Sequence, residues 1–279
     1  MTRLASVLLL SLTLGSASHA GQAPADSARD GLHRPLDTLL DLYVRDGLVY
    51  YRALKSDRSR LDGYVAALGR ASLDGWSRDE QIAFWLNAYN ALVLRTIIDR
   101  YPIRGTSGQY PPNSIRQIPG AFERITHQVA GRAVTLDGIE RDLLAPFNDP
   151  RVFVALGRGS VGGGRLRSEA FTGARLAEQL DEVVREFPQR HELLRVDTVA
   201  MQVSVTPILS WREQQVVAAY ADRADARFAA RSPIERAVVA MIQPYLLPTE
   251  RAFVEANEFR VVFHPYDWRL NDLTGRGGR

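Results

Sequence analysis

Residues 157–167 read Gly-Arg-Gly-Ser-Val-Gly-Gly-Gly-Arg-Leu-Arg. Backbone N–H groups of such a turn can form a concave nest for an anion, and Arg158, Arg165 and Arg167 would add forked donors. Ser160 is the one hydroxyl in the stretch. It could act as a nucleophile only with a base in hydrogen-bond reach. Beyond residue 20 the chain offers His33, His127, His191 and His264. His127 precedes Glu140, so a Ser160–His127–Glu140 set is the catalytic combination that the sequence suggests. Gly157-x-Gly159-x-x-Gly162 has the dinucleotide spacing, but no helix is expected to open there and no acid is expected at the tip of a second strand. There is no cysteine, which removes disulfides, thiolate metal sites and thiol nucleophiles together. Neither His-x-x-x-His nor an Asp-x-Asp loop occurs, so no metal and no cofactor are expected. Asn87 and Asn90 lie three apart on one face of an apolar helix. Buried amides need partners, so the pair either holds loop backbone or orients a ligand.

Several elements must position these groups. Ser77 and Glu80 form a capping box, and the segment from Arg78 to Tyr101 runs without a breaker to Pro102. Its stretch Ile82–Ile98 is apolar nearly all round, which predicts a central, buried helix. Before it, helices are expected over Arg34–Tyr43 and from a Ser56 cap to about Leu68, with a short strand or extended arm at Gly47–Tyr51. After a long proline-rich loop, Thr126–Leu136 reads as a hairpin and Asp137 as the cap of a helix through Leu144. Arg151–Leu156 is β-branched and aromatic, and reads as a strand feeding the glycine loop. Further helices are expected from Thr172 to Phe187, over Glu213–Tyr220 and over Pro233–Tyr245, with strands at Val199–Val205 and Phe259–Phe263. This pattern predicts an α+β fold, a helix-rich single domain over residues 31–279 with a small, mostly antiparallel sheet.

The 279 residues are 46% hydrophobic, ample for a core. Arg3, the apolar run Leu4–Leu14 and Ser18-His19-Ala20 have the layout of a secretory signal peptide cleaved after Ala20. The run is too short to span a bilayer. Residues 21–30 read as a disordered lead-in. The sequence therefore predicts a periplasmic or secreted, soluble protein with no transmembrane span. The formal charge is only +3, and no basic run is interleaved with aromatics, so nucleic acid is not an expected partner.

Phe84-Trp85-Leu86-Asn87-Ala88-Tyr89-Asn90-Ala91 resembles the signature of the bacterial and plant family called domain of unknown function 547. Asp149-Pro150-Arg151 with Ala155-Leu156 and Ser160, Val205–Trp211, and Pro265-Tyr266-Asp267-Trp268 are similar to its other blocks. The resemblance runs from about Val44 to Asn271. In the family's second block a histidine falls at Phe153, cysteines at Arg158 and Gly163, and a proline at Gly164. A further family histidine falls at Arg141. The resemblance implies a thiolate–imidazole site in ordinary members, and none of its sulfurs or imidazoles is present here. The expectation is an exported envelope protein that binds or scaffolds without catalysis. Its ligand would be small and anionic or peptide-like, held by Asn87, Asn90, Glu140, Arg158, Ser160, Arg165 and Arg167. The alternatives are a hydrolase using Ser160 or an activated water, and a structural partner of an envelope protein.

Overall fold

The structure is a computed structural model and describes residues 23–274. The expected signal peptide lies outside the described residues. The fold is organised by one helix. Ser77 accepts from Glu80 N while the Glu80 carboxylate takes Ser77 N, and this closed box starts the helix that ends at Arg100. Between Ile82 and Ile98 only Arg95 escapes full burial. A helix without a polar face has to be covered on all sides.

In chain order the covering elements begin with α1 (Ala23–Tyr43), the hairpin β1 (Val44–Arg45) and β2 (Leu48–Val49), α2 (Tyr51–Ser56) and α3 (Ser59–Arg70). The central helix is α4 (Arg78–Arg100). Then come the hairpin β3 (His127–Val129) and β4 (Arg132–Val134), the short α5 (Leu136–Gly138), a π-helical stretch Ile139–Leu144, α6 (Arg151–Ala155) and α7 (Leu176–Glu186). The C-terminal part holds β5 (Leu194–Asp197), β6 (Gln202–Val205), α8 (Ile208–Trp211), α9 (Glu213–Tyr220), α10 (Pro233–Ile242), α11 (Pro248–Ala256) and β7 (Arg260–Phe263).

The three-stranded sheet has the order β5-β6-β7. β5 and β6 are antiparallel, whereas β6 and β7 are parallel, with Val203 opposite Val261 and Val205 opposite Phe263. Parallel neighbours need a long crossover, and α8 to α11 supply it. Beyond β7 the chain returns across the molecule. Val161 N donates to Arg269 O at 2.8 Å and Gly162 N to Asp267 O at 2.9 Å. Val49 N donates to Asn271 O at 2.8 Å, and Leu273 N to Val49 O at 3.0 Å. The Asn271 amide bonds Gly47 O and accepts from the Tyr51 hydroxyl, while Tyr101 donates to Asp272. The C-terminal segment thus clasps the glycine loop to the first hairpin.

The helix-rich α+β class, the central helix and the mostly antiparallel pairing are as the sequence indicates. Several local readings are corrected. Arg151–Ala155 is helix, not strand, because Asp149 accepts Arg151 N and the turn continues from Pro150. Helix α1 already begins at Ala23, within the expected disordered lead-in, and Arg29 on it bonds both Glu80 oxygens at 2.9 Å. Ser56 ends α2 and caps nothing, and Thr135, not Asp137, caps α5 by accepting Gly138 N. Helix α7 starts at Leu176 rather than Thr172, and β5, α8 and α11 were not foreseen. Among the described residues no helix is long and apolar enough to cross a membrane.

Candidate functional site

After α6 the chain extends at Leu156 and then reverses at Arg158, whose φ is +47°. Holding a residue other than glycine in that region costs roughly 1–3 kcal/mol, so something must hold it. The reversal buries the Arg158 side chain to 3% exposure. Its guanidinium donates to Phe153 O at 2.9 Å and to Glu140 Oε1 at 2.8 Å. Glu140 sits on the π-helical stretch, a geometry that often re-aims a side chain at a functional site. Arg212, just past α8, donates to the same Glu140 oxygen through Nη2 at 2.8 Å and Nε at 3.2 Å. Its guanidinium also lies 4.9 Å from the centroid of the Phe153 ring. Burial by itself raises the Glu140 carboxyl, but Arg158 and Arg212 overcome it and hold the group below the usual carboxylate range. Burial opposes the charge on Arg158, and Glu140 more than offsets that, so the pair is ionised.

Two guanidinium groups share one carboxylate, so the cluster carries an excess positive charge. The Tyr89 hydroxyl from α4 is buried without a hydrogen-bond partner, and Arg158, Glu140 and Tyr266 all bear on it electrostatically. A buried hydroxyl in that state is a place for a water or a ligand atom. Ser160 and Tyr266 share a hydrogen bond of 2.7 Å, and burial pushes the Tyr266 hydroxyl up to about 12. Tyr266 packs on Trp211 at 5.1 Å and Trp268 at 4.3 Å between centroids. Arg116 lies 4.6 Å from the Trp268 ring and 4.5 Å from that of Phe122. An aromatic shelf edged by arginine therefore adjoins the buried cluster.

The structure brings Glu140, Arg158 and Arg212 into contact. It places Asn87 and Asn90 beneath the loops: Asn87 exchanges two hydrogen bonds with the Phe171 backbone at 2.8 and 2.9 Å, and Asn90 accepts Gly157 N at 3.0 Å. Arg165 and Arg167 turn elsewhere, to Glu186 and to Glu169 and Glu182. His127 does not join Ser160. It lines a groove with Arg95 and Asp99, and burial followed by Arg95 lowers its pKa. The Ser160–His127–Glu140 set is therefore not assembled, because Ser160 bonds Tyr266 and Glu140 bonds two arginines. Positions Phe153 and Arg158 are filled by a buried ring and a buried cation, while Arg141 is exposed beside Asp142. A Cβ at Gly163 would lie 2.4 Å from Gly157 O, and one at Gly164 would lie 1.9 Å from Val154 O. This backbone admits no cysteine at Gly163 without moving.

Sequence reasoning missed Arg212, which is 72 positions from Glu140 and has no local signal. It also missed the pair Ser204–His264. Ser204 Oγ stands 3.3 Å from His264 Nδ1, and His264 Nε2 donates to Glu192 O at 3.0 Å. With Nε2 protonated, Nδ1 is the acceptor. Alternation along β6 and the position of His264 at the end of the parallel partner β7 were the available clues. Among the described residues no group of three or more His, Asp or Glu is arranged for a metal ion.

The fold and the site define a class: a helix-rich α+β domain whose glycine loop wraps a buried Arg158–Glu140 pair, joined by the partly exposed Arg212, beside a central helix. Residues 73–187 match the model of the family described as Protein of unknown function, DUF547, so this segment is similar to that family. The matched stretch holds Tyr89, Glu140, Arg158 and Ser160, while Arg212, Tyr266 and the Ser204–His264 pair lie beyond it. No curated protein and no solved structure matches the chain.

Proposed function

We propose that this is an exported protein of the cell envelope that binds a small anion without catalysis, at a site derived from its family's thiol centre. The observation that carries this reading is the Arg158–Glu140–Arg212 cluster. A fully buried cation fills the place where the family resemblance puts a sulfur, and its carboxylate is taken up by a second cation. The leftover positive charge and the unpartnered Tyr89 hydroxyl favour an anionic group on the Arg212 side. Asn87 and Asn90 serve that site by fixing the loops. The layout of residues 1–20 supports export, and the ligand or an envelope protein is the expected partner.

The test has two arms. Inorganic phosphate should raise the Tm of the full chain beyond the effect of sodium chloride at equal ionic strength, and Arg212→Leu should abolish the difference. A panel of nitrophenyl esters and anilides should show equal background rates for the wild type, Ser160→Ala and Glu140→Gln. Turnover that vanishes in Ser160→Ala would overturn the reading.

A hydrolase remains the second reading because of one observation, the Ser204–His264 contact. There a hydroxyl faces an imidazole that is itself oriented by a carbonyl. A fluorophosphonate probe distinguishes the two readings. Labelling of Ser204, lost in His264→Gln, would favour the hydrolase, and an unlabelled protein would remove it.

A further inference from the structure

Arg165 and Arg167 leave the buried cluster and join a separate groove. One wall is α1, which contributes Arg34, Asp37 and Asp41. Their spacing of three and four residues puts them on one helix face. The opposite wall is the Arg165–Arg175 segment. The groove has a volume of about 550 Å³, within the range of small-molecule sites.

The two walls differ in how far their charges are satisfied. Arg165, Arg167 and Arg175 are engaged by Glu186, Glu182, Glu169 and Glu178. Among the described residues Arg34, Asp37 and Asp41 form no ion pair, although one Asp37 oxygen accepts Ala170 N at 2.9 Å. Three buried atoms of lining residues also lack hydrogen-bond partners. One is Arg165 Nε, which has only an ion-pair contact with Asp46. Another is Arg167 Nη1, with Glu186 standing 3.8 Å away, beyond hydrogen-bond reach. The third is His33 Nε2. That residue is 3% exposed, and its Nδ1 is already held by the Tyr64 hydroxyl at 2.7 Å.

A simple anion entering this groove would face Asp37 and Asp41 with no compensation, and a simple cation would face Arg34. A ligand that carries both signs, separated by a few bonds, answers both. We propose that this groove binds a short unblocked peptide, with its carboxylate on Arg34 and Arg167 Nη1 and its amino group on Asp37 and Asp41. The inference goes beyond the anion site at Glu140 and shares no residue with it, so each can fail without the other.

Calorimetric titration of the full chain with trialanine, N-acetyl-trialanine and trialanine amide tests it. Trialanine should bind, and each blocked peptide should bind about tenfold or more weakly, since each loses one charged contact. Arg34→Ala should erase the preference for trialanine over its amide. Asp41→Asn should erase the preference over the acetylated form. Arg34 and Asp41 are exposed, so both variants should keep the wild-type melting curve. Equal affinity for the three peptides, or no binding of trialanine at millimolar concentration, overturns the proposal. These wild-type titrations decide the matter even if a variant fails to fold.

Discussion

The cluster around Glu140 and the belt of ion pairs beside α7 use the same chemical groups in opposite surroundings. In the first, Arg158 and Glu140 retain 3% and 9% side-chain exposure. In the second, Arg175 and Glu178 retain 47% and 60%. Both would count as salt bridges, yet their energetics differ in kind. An exposed pair exchanges hydration for a screened attraction and gains little. A buried pair has already given up its hydration, so removing either partner strands an uncompensated charge. Buried ionic clusters therefore constrain the chain through what happens when they are broken, while the belt tolerates change.

The most forceful way to break this contrast is Glu140→Gln. It should cost about 3–5 kcal/mol in urea unfolding, because Arg158 stays buried without its counter-charge. A loss no greater than that of an exposed-pair variant would erase the distinction. Gly163→Ala comes next, at roughly 1–3 kcal/mol, since its Cβ would meet Gly157 O at 2.4 Å. Gly163→Cys should destabilise for the same reason, since its Cβ meets the same carbonyl oxygen.

Acid unfolding gives a third measure. The Glu140 carboxyl titrates below its ordinary 4.5 in the folded protein, so its stabilising contribution is full above that value and is lost as pH falls through the lowered folded value. His33, which burial pulls down to about 4 from 6.5, makes stability fall earlier, across the interval between those values. Denaturation midpoints from pH 7 to 3 should show both limbs, with only the lower one absent in Glu140→Gln. The smallest effect is expected for Arg175→Ala, about 0.2–1 kcal/mol, and it should shrink further in high salt.

The two regions were also unequally legible in the sequence. Helix α4 could be read in full, because a capping box, an unbroken apolar run and a terminal proline all act over short range. The Arg151–Leu156 run was misread because four to eight apolar residues fit a buried helix as well as a strand. The belt beside α7 was legible only in its local pair, Arg175 with Glu178; Arg165 and Arg167, expected to hold a ligand, instead reach Glu186 and Glu182, 21 and 15 positions away. The cluster has no such local pair. Arg158 looked like a solvated loop residue, and only the long-range return of Glu140 and Arg212 makes it a core residue. Asn87 and Asn90 were recognised as needing partners, but the partners, Phe171 and Gly157, lie 84 and 67 positions away.

The clasp formed by Asn271 and Asp272 has a bearing on when the protein can become native. Gly47, Tyr51 and Tyr101 belong to the first half of the polypeptide, yet each finds its partner only within the final stretch. A nascent chain from which residues 271 and 272 have not yet emerged holds those groups unanswered. Completion of the amino-terminal half therefore awaits the emergence of residues 271 and 272.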